Sequence, residues 1–149
     1  MLTTNIAQAA KAPWEIGINE PHLGMKDPSI REKTLDDIHN LGAAWFRFGP
    51  SSGSKQGVAN FVDVVKRAKI QNLKVLVTIL QLDEDYAGSN ADAPLNNSGW
   101  REKKLSRIDL QKFAQRLQTL CSALKAQALT VDAFEFGSES DQFPYNASD

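Results

Sequence analysis

The chain has 149 residues, with 17 lysines and arginines against 18 aspartates and glutamates. That length suits one domain with a real core and is short for two, and the near-even charge excludes a partner chosen for bulk electrostatics, such as nucleic acid or an anionic membrane. A single cysteine, Cys121, excludes an internal disulfide framework and reads as a small core residue of a helix, and no run approaches the roughly twenty apolar residues of a membrane span.

Residues 1–13 lack the basic start and apolar middle of a secretory signal, although A-Q-A-A resembles the small-residue end of one. They read as a lead-in or the remnant of a trimmed export signal, which leaves a secreted or periplasmic location open. The domain then runs over 14–149. From Trp14, W-E-I-G-I-N predicts a first strand, followed by the breaker-rich E-P-H-L-G-M-K. Asp27 before Pro28 predicts a helix start, Ile30, Thr34, Leu35, Ile38 and Leu41 follow at helical spacing, and Gly42 closes the element. A second strand, A-A-W-F-R-F, ends at Gly49-Pro50 and enters S-S-G-S-K-Q-G, which reads as a flexible loop.

Phe61, Val64, Val65 and Ala68 mark a second amphipathic helix, with Asn72 as a left-handed stop. L-K-V-L-V-T-I-L is a near-continuous β-branched run, the pattern of a parallel strand covered on both faces. A long polar stretch follows, of the kind that is often functional inside a compact domain. Ser106 and Asp109 form an S-x-x-D capping signature, and Leu110, Phe113, Ala114, Leu117, Leu120, Cys121 and Leu124 make the stripe of a third helix. Val131 to Phe136 is the fourth strand, breaking at Gly137 just before Glu139.

Strict alternation of strand and helix predicts a parallel sheet with right-handed crossovers. In such a sheet the strand-to-helix loops leave by one edge, so His22, Arg47, Gln81, Trp100 and Glu139 are expected there together.

The order of these motifs resembles the first half of a (β/α)8-barrel glycoside hydrolase of the retaining type, from the large clan that includes many cellulases and xylosidases. G-I-N stands at the first-strand G-x-N, W-F-R-F-G is similar to a second strand ending in arginine, and K-R-A-K-I-Q-N-L-K-V-L-V-T is similar to the passage into the third strand. F-E-F-G-S-E-S-D resembles the fourth-strand pattern that ends in an asparagine-glutamate pair. The resemblance implies an α/β fold of TIM-barrel type with four βα units, a half barrel. It gives Glu139 the general acid/base position and Arg47 that of a basic residue beside the nucleophile. Ser138 stands where the family carries an asparagine that contacts the sugar 2-hydroxyl, and Ser140 where proline is common. The resemblance further implies a carbohydrate substrate, with no cofactor and no metal, and places Arg47, Ser138, Trp100, His22 and Gln81 at the substrate.

Retaining hydrolysis needs two carboxyl groups about 5 to 5.5 Å apart, one protonating the leaving oxygen and one attacking the anomeric carbon. Glu139 answers for the first; the family's nucleophile ends strand seven, and four strands are about half of a barrel of ~250 residues. Four parallel strands also leave two open edges. The expectations are therefore a fragment of a longer protein, pairing with a second half-barrel, or self-association through the edges. A noncatalytic carbohydrate-binding or scaffold module of barrel origin, and an unrelated open α/β domain, are the competing readings.

Several residues carry two readings. Glu135 either lines the interior as a partner for Arg47 or faces the helices, and Trp100 either stacks on a sugar face or pins its own loop. His22 is read more readily as a bystander than as a substrate ligand, and His39 as surface. Asp83, Glu84 and Asp85 lack calcium-loop spacing and read as solvated charge. Lys55 follows small residues after a strand, but the order G-x-x-x-x-G-K-[ST] is absent, which argues against a phosphate loop.

Overall fold

The computed structural model describes residues 15–80, 82–86 and 108–136. Along the chain these form β1 (Gly17–Asn19), α1 (Pro28–Asn40), β2 (Trp45–Phe48), α2 (Lys55–Ile70), β3 (Lys74–Ile79), α3 (Leu110–Ala126) and β4 (Ala133–Phe136). The four strands make one parallel sheet in the order β1-β2-β3-β4, with Asn19 beside Arg47, Arg47 beside Leu76 and Leu76 beside Ala133.

Alternate residues of each strand face opposite sides. On one side Phe46, Phe48, Val75, Val77 and Ile79 are fully buried, and they share a core with Leu35 and Ile38 of α1, Phe61, Val64, Val65 and Ala68 of α2, and Leu120 and Leu124 of α3. All three helices therefore cover the same face. A doubly wound open sheet carries helices on both faces, whereas a (β/α)8 barrel keeps them all outside; the chain is a partial (β/α) barrel, with an inner face made of Gly17, Asn19, Trp45, Arg47, Lys74, Leu76, Thr78, Ala133 and Glu135.

Local chemistry accounts for the helix boundaries, with several corrections to the sequence reading. Asp27 stands at the start of α1 with Pro28 in the first turn, but its side chain makes no capping bond. Gly42, at φ 78°, ends that helix in the left-handed region, and Asn72, at φ 57°, does the same after α2. S-S-G-S-K-Q-G is not loop throughout: Ser54 Oγ accepts from the Gly57 amide at 3.1 Å, so α2 begins at Lys55 inside the supposed loop.

On α3 the cap is Asp109, whose carboxylate accepts from the amides of Gln111 and Lys112, each at 3.1 Å; Ser106 lies outside the described residues. The buried line on this helix is Arg116, Leu120 and Leu124, spaced by four residues. Cys121 is one residue further round and exposed, not a core residue, and Leu110 and Ala114 are exposed as well. At the amino end of β4, Asp132 accepts from the Val75 amide at 2.7 Å and pairs with Lys69. Burial pushes its carboxyl up, but the bonds from Lys69 and Val75 outweigh that and hold it below the ordinary value.

Candidate active site

The inner face carries two polar layers. Near the amino end, Glu15 accepts from the Trp45 indole at 2.7 Å and from Lys74 at 2.6 and 2.7 Å, and the Lys74 ammonium lies 5.2 Å from the Trp45 ring centre. This cluster is at the end of the barrel where conserved roles are normally structural.

Near the carboxyl end, Arg47, Thr78 and Glu135 meet although they come from three strands. Arg47 Nε donates to Glu135 Oε2 at 2.7 Å, and Thr78 Oγ1 donates to the same oxygen at 2.8 Å. Register explains the meeting: Thr78 stands beside Glu135, and Arg47 reaches across β3 from two residues lower. Of the two readings open for Glu135, the interior partner of Arg47 is the one observed. The Arg47 guanidinium and the Thr78 hydroxyl hold the Glu135 carboxyl below its usual range, against a weaker opposing push from partial burial. An acid so held is ionised at neutral pH and cannot protonate a leaving group. Gly49 completes the close fit, because a Cβ there would lie 2.6 Å from the Thr78 carbonyl oxygen.

His22 heads a single 3₁₀ turn, Leu23–Met25, in the β1–α1 connection and is exposed, while Leu23 behind it joins the core. Gln81, Trp100, Ser138 and Glu139 lie outside the described residues; β4 ends at Phe136, three residues before Glu139 in the sequence. Among the described residues no group of three His, Cys, Asp or Glu could hold a metal ion, and no helix is long and apolar enough to cross a membrane.

One solved structure is similar over part of its length. A GH5_18 variant from Streptomyces cattleya, solved in complex with Manb1-4GlcNAc, superposes with a TM-score of 0.47 and 20% identity over 69% of this chain and 27% of that one. The chain thus spans about a quarter of that protein's length. It matches no family model and no curated protein.

The sequence reading missed three features of this edge. Thr78 was hidden inside an apolar run, though its parity with Leu76 puts it on the Arg47 side. Asp85 is not solvated charge but 1% exposed, and Arg116 of α3 is 5% exposed. Its spacing of four residues from Leu120 put it at the border of the apolar stripe, but only its partner shows why an arginine is buried there.

Proposed function

We propose that the carboxyl edge of this sheet is one wall of a saccharide site and that Glu139 is its general acid/base in glycoside hydrolysis. The observation that supports this best is the Arg47–Glu135–Thr78 set on the inner face, immediately below the edge from which the chain leaves β4 toward Glu139. Arg47 and Glu135 form a net-neutral pair. Glu135 balances part of the Arg47 charge, which lessens the pull that would keep a neighbouring acid ionised. Glu135 is committed to Arg47, and Glu139 is the acid that the family resemblance assigns to the role of proton donor.

In this reading Ser138, Trp100, Gln81 and His22 contact sugar, and the second carboxylate of a retaining mechanism is not among the residues that the resemblance assigns in this chain. The reading is tested by aryl-glycoside hydrolysis and oligosaccharide binding. Hydrolysis abolished by Glu139→Gln with binding retained supports it. Binding that ignores Glu139→Gln, is lost in Trp100→Ala and comes with no hydrolysis identifies a noncatalytic carbohydrate-binding module instead, and no saccharide binding at all overturns both.

A further inference from the structure

We propose that Arg116 is a positioning residue, which from within α3 sets the places of the β2–α2 connection and of residues 82–86 after β3 at the carboxyl edge. Its guanidinium meets Asp85 side-on, Nε to Oδ1 at 2.9 Å and Nη2 to Oδ2 at 2.7 Å, and Nη2 also donates to the Leu80 carbonyl at 2.7 Å, just past the end of β3. Asp85 passes the constraint on in two directions. Its carboxylate accepts from the Leu82 amide at 2.8 Å, and its carbonyl accepts at 2.8 Å from the amide of Asp109, the residue that caps α3. Neighbouring Glu84 accepts from the Gly53 amide in the β2–α2 connection. Gly53 in turn lies against the Arg116 stem, where an added Cβ would come within 3.1 Å of Cγ and Cδ. The Phe113 ring, 5.3 Å from the guanidinium carbon, closes the other side.

One side chain thus ties together the end of β3, the turn after it, the start of α3 and the loop after β2. The arrangement is not the one that maximises stability. Arg116 Nη1 is buried with no hydrogen-bond partner among the described residues, a cost that an apolar residue would avoid, and buried ion pairs are often replaceable by apolar residues of similar volume with no loss of stability. What the pair supplies is geometry, and only the planar fork of arginine can make both the two-point bond to Asp85 and the bond to the Leu80 carbonyl.

The consequence for saccharide binding rests on the proposed function; the loop placement does not. The test uses the full chain, with the double variant Arg116→Met/Asp85→Leu chosen because it leaves no unpaired buried charge, and with Arg116→Lys as the charge-conserving variant. Backbone order parameters of Gly53, Glu84 and Asp109 are expected to fall from about 0.85 to below ~0.6 in both variants, while those of β2 and β3 and the melting temperature of the double variant stay at wild-type values. Oligosaccharide affinity is expected to drop at least tenfold. Wild-type order at Gly53 and Asp109 in the double variant, restoration of that order by lysine alone, or a uniform loss of order through β2 and β3 overturns the positioning role. A wild-type chain that binds no saccharide, with the order-parameter changes as expected, defeats the functional reading and leaves the positioning role standing.

Discussion

The middle of the sheet and its last strand have similar sequences and opposite environments. W-F-R-F in β2 and A-F-E-F in β4 both alternate aromatic and polar residues. Phe46 and Phe48 are 0% exposed, stacked on each other at 5.1 Å with Phe61 5.5 Å from Phe48. Among the described residues, Phe134 and Phe136 stack on each other alone, at 6.5 Å, and they are 45% and 67% exposed. The difference lies in what stands behind them: α1 and α2 close over β2, whereas β4 is an edge strand beside α3, with Cys121, Leu124, Leu129, Val131 and Phe134 lining an open apolar groove. The polar halves of the two strands, by contrast, meet each other. Arg47 and Glu135 are joined across β3, so the inner face adds a side-chain tie to the main-chain ladder by which β4 pairs with β3.

That asymmetry sets an order of expected effects. Phe48→Ala, which empties a fully packed position, should cost about 3–5 kcal/mol in denaturant unfolding; a much smaller loss would mean that β2 is not the centre of the core. Gly49→Ala forces a methyl group against the Thr78 carbonyl and should cost about 1–3 kcal/mol, with amide shifts concentrated in Thr78 and its neighbours. Glu135→Gln removes the charged tie between β2 and β4 and should cost about 1 kcal/mol at neutral pH. Because the fold lowers the Glu135 carboxyl below its ordinary value, that contribution is fully present above the ordinary value and is lost as the pH falls through the lowered one. Stability curves of the wild type and of Glu135→Gln should therefore converge in acid. Phe136→Ser should change stability by no more than about 0.5 kcal/mol, and a larger loss would show that the edge is covered in solution.

The periodic elements were legible in the sequence because each follows from near-neighbour chemistry: the β-branched run of β3, the apolar spacing of α2, the left-handed stop at Asn72. The parallel sheet followed from alternation and the half barrel from the family resemblance; the placement of all three helices on one face is what separates a barrel from an open sheet. Charged residues were misread where their partners are distant. Asp85 and Arg116 are 31 positions apart, and neither points to the other in the sequence. Arg47 and Glu135, 88 positions apart, could be paired in advance only as one of two options, since the choice depends on which face of β4 turns inward. The apolar stripe of α3 was drawn too wide because β4, at the edge, gives that helix a narrower surface to pack on than the central strands give α2.

The central claim is that sugar binds at the carboxyl edge of this sheet. Titrating the isotope-labelled chain with cello-oligosaccharides and following its backbone and side-chain signals tests this most directly. The account predicts saturable shifts at Arg47, Thr78, Glu135 and the residues that follow Phe48, Ile79 and Phe136, with the Glu15, Trp45 and Lys74 cluster unmoved. Shifts centred on that amino-end cluster, or none at saturating sugar, would contradict it.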